Sequence, residues 1–248
     1  SIGAGSFATV YSVRGIPFVF KVIHFPDRTD ELRAEASALH TLYTLCNSDS
    51  MFAIPRAVAY YDPTTDELIQ FPTSHALGSQ NVEPPRMCRL YLGKILRPSQ
   101  SIGSMINFPI DIARYTTLLR VFEGGELIGL DQVAGGMGEM LGRIHWVAGY
   151  DGRDIEFVMA GSGLGVRYYV IDFNQMRRFD REEWQSNVEG LIDAFFSNDP
   201  YYPRPVTRDP LYQAFRTAYL AACPQEYEDG AKAFLDGIEA EQLKRPSV

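Results

Sequence analysis

Tyr150-Asp151-Gly152-Arg153-Asp154-Ile155-Glu156-Phe157-Val158-Met159 is followed, after a Gly-rich connector, by Tyr169-Val170-Ile171-Asp172-Phe173-Asn174. Asp151 and Glu156 stand five residues apart on a loop running into an apolar strand, and Asp172 ends the next apolar strand. Carboxylates converging at the ends of buried strands repel one another unless a cation is present. That cation can be magnesium, which prefers carboxylate and water oxygens. It can equally be the guanidinium or ammonium group of a substrate. The blander alternative makes Asp151 and Asp154 turn residues and Asp172 a strand-end cap.

Working outward, the chain opens with Ile2-Gly3-Ala4-Gly5-Ser6-Phe7-Ala8-Thr9-Val10-Tyr11, and Phe18-Val19-Phe20-Lys21-Val22 follows. This reads as a Gly-rich hairpin leading into a strand that carries one lysine. A lysine in an apolar strand is costly unless it is paired. Glu35 on the following helix is the natural partner of Lys21, with Glu31 one turn earlier as the alternative. Failing either, Lys21 snorkels from a sheet edge. The turn at Gly3 and Gly5 lets a backbone approach a phosphate, or is an ordinary hairpin turn. Ser6 at its tip contacts substrate or is merely solvated.

The remaining elements follow from periodicity and turn signals. A helix is predicted over 29–45, with a rhythm of Leu32, Ala36, Leu39 and Leu42 and early negative charge. Strands are expected over 55–61 and 86–95, and helices over 108–121 and 130–148. Two motif strands, 155–159 and 168–171, are joined by a flexible connector over 160–166. Helices close the chain at 182–197, 210–222 and 230–243. Gly135, Gly136, Gly138 and Gly142 fall inside one expected helix, where each glycine costs roughly 1 kcal/mol relative to alanine. Their retention points to close contact with a neighbouring element. His145 is expected to be a packed structural residue beneath the Asp151 loop.

Composition bounds the function. The 248 residues are 46% hydrophobic, and no apolar run approaches a bilayer span. No signal peptide is visible, and Ser1 stands in a hairpin already under way, so the native N-terminus is expected upstream. Cys46, Cys88 and Cys223 are odd in number and far apart, which suggests a reducing, cytoplasmic setting, not a disulfide framework or zinc site. A net charge of −8 argues against broad nucleic-acid binding but permits a local basic patch. Arginines cluster at Arg86, Arg89 and Arg97, beside Lys94, and again at Arg177, Arg178 and Arg181. They form either a phosphate footprint or salt-bridged solvated faces.

The order of hairpin, lysine strand, helix, loop Asp, strand and Asp-Phe resembles that of protein kinases. The resemblance implies an α+β, kinase-like bilobal fold. A β-rich N-lobe would span 1–97 and a mainly helical C-lobe 98–248, with the joint near 96–101. Glu156 stands where kinases have a metal-binding Asn, Asn174 where they have Gly, and no Ala-Pro-Glu motif follows.

Ile144-His145-Trp146-Val147-Ala148, Asp151 to Val158, Ile171-Asp172-Phe173-Asn174-Gln175, Cys88-Arg89-Leu90-Tyr91-Leu92-Gly93 and Asn107-Phe108-Pro109-Ile110 together resemble a large fungal family. That family long carried an uncharacterised or zinc-finger label, although no zinc-finger spacing is present here. It includes tRNA-dependent, arginine-containing cyclodipeptide synthases. The resemblance covers about residues 50–180 well.

It implies an enzyme without cofactor that takes arginyl-tRNA and a second aminoacyl-tRNA. Asp151, Glu156 and Asp172 would be catalytic. Gly3, Gly5, Ser6, Lys21, Glu35, Asp154 and Asn174 would line the substrate site. Arg86, Arg89, Arg177 and Arg178 would contact tRNA. Two alternatives remain open. One is a small-molecule phosphotransferase using ATP, with magnesium on Glu156 and Asp172. The other is a catalytically dead binding module.

Overall fold

A computed structural model describes residues 3–12, 19–62, 65–71, 87–96, 107–121, 127–162, 165–198 and 200–245. Its first sheet is antiparallel, with β1 (Gly3–Ala4), β2 (Ala8–Ser12) and β3 (Val19–Ile23) in that order. Lys21 pairs in register with Val10.

Helix α1 (Thr29–Cys46) follows and buries Glu35, Ala38, Leu42 and Cys46. That stripe keeps helical spacing but is rotated from the expected rhythm, since Leu32, Ala36 and Leu39 are only partly buried. The charged Glu35 belongs to the buried face because Lys21 meets it there.

The central sheet has the order β4-β10-β9-β7-β8, built from β4 (Phe52–Ala53), β7 (Met87–Tyr91), β8 (Asn107–Asp111), β9 (Glu156–Ser162) and β10 (Gly165–Ile171). A separate hairpin joins β5 (Ala59–Asp62) to β6 (Glu67–Gln70). The five-stranded sheet is mixed, with β4 parallel to β10, β7 parallel to β8, and antiparallel pairing between.

Two sequence expectations change here. The strand expected over 55–61 pairs only from Ala59 onward. The helix expected from 108 begins later, because Asn107–Asp111 is a strand. Pro109 is tolerated there because β8 is an edge strand. Asp111 then opens α2 (Ile112–Val121): its Oδ1 accepts the backbone N–H of Arg114 at 3.0 Å, as an N-cap residue does. Of the connector expected to be flexible, residues 160–162 and 165–166 extend the β9–β10 hairpin, with Gly161 opposite Val166, and the rest lies outside the described residues.

Strands from both sides of residue 97 share the five-stranded sheet. The joint expected near 96–101 falls almost wholly outside the described residues.

Helix α3 (Leu130–Gly142) runs into a π-helical turn, Arg143–Ala148, that ends on left-handed Gly149. Helices α4 (Trp184–Ser197), α5 (Pro210–Ala221) and α6 (Glu228–Lys244) complete the chain. Three of the α3 glycines face α5. A Cβ on Gly138 would stand 2.1 Å from the Phe215 carbonyl oxygen, and one on Gly142 would stand 2.7 Å from that of Tyr219. Gly135 has its nearest neighbours, on Ala214 and Ala218, at 3.8 Å. The expected close contact is therefore with α5. Trp146, Tyr212, Phe215, Tyr219 and Phe234 form the aromatic centre of this helical layer, all fully buried.

The chain is thus α+β: helices packed on and beside a mixed sheet. Among the described residues, no helix is long and apolar enough to cross a membrane.

Candidate functional site

The β9–β10 hairpin brings the carboxylates together. Glu156 at the start of β9 pairs with Ile171 at the end of β10, and Asp172 follows one residue on. Asp172 takes φ +66, a left-handed backbone that costs a non-glycine residue energy and that folds concentrate at functional sites.

Lys21 reaches the same place from the first sheet. Its Nζ lies 2.5 Å from Glu35 Oε1 and 3.7 Å from Asp172 Oδ1. Phe7 folds over the pair, with Lys21 Nζ 5.5 Å from its ring centroid. Of the two partners considered for Lys21, Glu35 is the one it meets, while Glu31 binds Arg28. Burial pushes the Glu35 carboxyl up, and the Lys21 ammonium opposes this.

Glu156 is also paired. Arg89, on the adjoining strand β7, holds it with two hydrogen bonds, Nε to Oε2 at 3.0 Å and Nη2 to Oε1 at 2.7 Å. This fork-to-carboxylate geometry is the strong form of such a contact. Burial pushes the Glu156 carboxyl up to about 7; Arg89 opposes the shift, and the charge of Asp172 adds to it. Arg89 was expected in a tRNA-facing cluster. The pairing of β7 with β9 sets its guanidinium beside Glu156, with 32% of the side chain exposed.

Asp151 is buried and caged. Oδ1 accepts the backbone N–H groups of Arg153 at 3.1 Å and Arg177 at 2.9 Å, and Oδ2 accepts Arg177 Nε at 3.2 Å. Its carbonyl oxygen meets His145 Nε2 at 3.3 Å. Trp146 Nε1–H donates to the Tyr219 hydroxyl at 2.8 Å, and that hydroxyl donates to His145 Nδ1 at 2.7 Å. The relay leaves His145 Nε2 as the donor to Asp151. Burial drives the imidazole down to about 3, so His145 is a neutral structural prop, as expected.

Asn198, which sequence reasoning missed, clamps the same loop. Its Oδ1 accepts the Asp154 N–H at 2.5 Å, and its Nδ2 donates to the Gly152 carbonyl at 2.9 Å. Asp154 and Gly152 are both left-handed, which a tight turn here requires. Asp154 Oδ2 also accepts Gln175 Nε2 at 2.6 Å. Asp154 therefore shapes the loop as a turn residue.

The other candidates are less engaged. Gly5 donates its N–H to the Ala8 carbonyl at 3.0 Å, closing the hairpin, and space is open where its side chain would be. Gly3 lies in β1, and Ser6 is exposed at the tip. Arg86 and Arg97 lie outside the described residues. Arg178 donates from Nε to the Tyr150 hydroxyl at 3.0 Å, and its guanidinium lies 5.1 Å from that ring's centroid. Arg181 bonds the Trp146 and Val147 carbonyls. The second arginine cluster thus ties down the Asp151 loop. Among the described residues, no three His, Cys, Asp or Glu side chains form a group able to hold a metal ion.

A family model described as "DUF3669: Zinc finger protein" matches residues 168–230, from β10 into the start of α6. That segment holds one cysteine, Cys223, and no histidine, short of the four ligands a structural zinc site needs. No curated protein and no solved structure matches the chain.

Proposed function

We propose that the chain is a tRNA-dependent synthase on a protein-kinase-like bilobal scaffold, condensing arginyl-tRNA with a second aminoacyl-tRNA into an arginine-containing cyclodipeptide. The observation that carries this reading is that each of the three carboxylates lies beside a basic side chain. Arg177 neutralises Asp151, Arg89 neutralises Glu156, and Lys21 serves both Glu35 and Asp172. Such a cleft suits a reaction whose substrates are already activated, where the protein must position and move protons. The substrate class itself comes from the sequence resemblance.

The chemistry needs two acyl transfers. The amine of one aminoacyl ester attacks the carbonyl carbon of the other, forming a peptide bond and releasing one tRNA hydroxyl. The free amine of the resulting dipeptidyl ester then attacks its own ester carbonyl, closing the ring and releasing the second tRNA. Each attacking amine must lose a proton, and each departing oxygen must gain one. Asp172, the most open of the three carboxylates, would receive an ammonium group beside Lys21. Glu156, poised near neutral pH by burial, would accept its proton. Asp151 holds the loop in place and is not free to act as a base.

The Lys21–Glu35 pair and its contact with Asp172 also favour the phosphotransferase alternative, since kinases use such a trio. Arg89 counts against it, because its guanidinium charge beside Glu156 opposes a magnesium ion there. The test is to incubate the protein with a pool of aminoacyl-tRNAs and analyse small molecules by mass spectrometry. An arginine-containing diketopiperazine that disappears when the tRNA is first digested with ribonuclease supports the synthase. Phosphate transfer from ATP to a small molecule, with no such product, replaces it with the alternative.

A further inference from the structure

Strand β7 carries Arg89, the partner of Glu156, and the chain runs on through Tyr91 to Lys94. The four residues from Arg89 to Gly93 span at most about 14 Å. At that end the chain meets the segment that precedes α5. Leu92 and Gly93 donate their N–H groups to the Tyr201 and Pro200 carbonyls at 2.9 and 3.0 Å, and Arg204 donates from Nε to the Gly93 carbonyl at 2.9 Å. The Tyr91 and Tyr201 rings stack at 4.9 Å, and Lys94 Nζ lies 5.6 Å from the Tyr91 centroid. Past Arg204 the backbone turns, with the Val206 N–H on the Arg204 carbonyl and the Asp209 N–H on the Val206 carbonyl. Arg208 stands exposed on that turn.

Lys94, Arg204 and Arg208 thus share one surface, and none of them is ion-paired among the described residues. The carboxylates next to them are engaged. Asp209 caps α5 at Leu211 and Tyr212, and buried Asp111 holds Arg114 and the Leu96 N–H. Ile95 and Val206 stand among the charges, 77% and 46% exposed. Cationic heads beside exposed apolar side chains suit an unpaired RNA strand, which offers phosphates and the flat faces of its bases.

We propose that this surface holds the single-stranded 3′ end of the tRNA, with phosphates on Lys94, Arg204 and Arg208 and a base against Ile95 and Val206. The strand follows β7 back toward Arg89 and presents its ester at Glu156. The inference deepens the synthase reading and takes the identity of the RNA from it.

The experiment is fluorescence anisotropy of a labelled, uncharged arginine-accepting tRNA titrated with the intact chain. Lys94→Glu combined with Arg208→Glu, at two exposed positions, should weaken binding at least about tenfold and flatten the slope of log affinity against log salt by about 1.4, for two lost contacts to a single strand. Arg167→Glu combined with Lys232→Glu changes the net charge equally, on β10 and α6, and should change affinity by less than about twofold. Polyglutamate, an anionic polymer without bases, should compete far more weakly than the same tRNA unlabelled. No tRNA binding, or equal losses in the two double variants, overturns the proposal. Equal competition by polyglutamate also overturns it, and assigns the surface to an acidic protein. Cyclodipeptide formation whose KM for arginyl-tRNA is untouched by Lys94→Glu with Arg208→Glu overturns this surface while the synthase reading stands. Patch-dependent tRNA binding without any cyclodipeptide supports the surface while the synthase reading fails.

Discussion

Arg89 and Glu156 form a largely buried ion pair between β7 and β9, and two predictions belong to it. Removing one partner strands a largely buried charge, so Arg89→Met should lower stability by roughly 2–4 kcal/mol. Arg89→Met combined with Glu156→Leu should recover most of that loss. Denaturant unfolding of the two singles and the double measures the coupling, and strict additivity contradicts the pairing. The second prediction concerns pH. The folded carboxyl of Glu156 titrates at about 7 against an ordinary 4.5, so the folded state holds that proton more tightly than the unfolded chain. Its contribution to stability is full below the ordinary value and is lost as pH rises through the folded one. Glu156→Gln should flatten the fall in unfolding free energy between those pH values; an unchanged slope contradicts the shift. The Lys21–Glu35 pair was legible in the sequence because a charge inside an apolar strand demands a partner on the next element. Arg89 was not. Its partner is 67 residues away, and only the choice of β7 as the neighbour of β9 brings them together. Asn198 escaped for the same reason, as a helix-end amide clamping a loop 44 residues upstream.

Helix α3 and helix α5 make the element-scale test. Gly138 stands where a methyl group would meet the Phe215 carbonyl at 2.1 Å, and that backbone cannot yield without separating the helices. Gly138→Ala should therefore cost about 3 kcal/mol, at the top of the usual range for overpacking a close-fitted core. Gly135→Ala, with its nearest neighbours at 3.8 Å, should instead stabilise by up to about 1 kcal/mol through helix propensity. Thermal unfolding of the two variants decides it, and equal effects would mean that α3 and α5 are not in close contact there. The glycine spacing announced a close neighbour, but not which one. Helix α2 and strand β8 show the opposite limit. The apolar run through Ile110 and Ile112 fits either element, and the boundary depends on Asp111, whose side chain caps the helix while also accepting the Leu96 N–H at 2.8 Å. The π-helical turn was hidden too, since its Tyr150 N–H to Ile144 carbonyl bond is set by how the chain leaves toward the Asp151 loop.

At the scale of the whole molecule, a net charge of −8 must still accommodate an RNA if the synthase reading holds. Binding can then come only from a local basic surface, and it should weaken steeply between low and physiological salt. Arg177, with 62% of its side chain exposed, would belong to that surface on this reading, and it also anchors Asp151. Arg177→Glu is consequently expected to disturb the loop as well as any RNA contact, and Arg177→Lys is the milder probe. The order of hairpin, lysine strand, helix and carboxylate strands was readable from one end of the chain to the other, because each piece has its own local pattern. The way strands from both sides of residue 97 share one sheet was not, because long-range pairing leaves little trace in local sequence. The most direct test of the account is product formation in the absence of metal and nucleotide. The protein is given arginyl-tRNA and pooled aminoacyl-tRNAs, with chelator present and spermidine replacing magnesium to keep the tRNA folded. The account predicts an arginine-containing cyclodipeptide at a rate unchanged by added ATP and lowered at least tenfold by Glu156→Gln. No cyclodipeptide under any of these conditions, together with magnesium-dependent phosphate transfer from ATP, would contradict it.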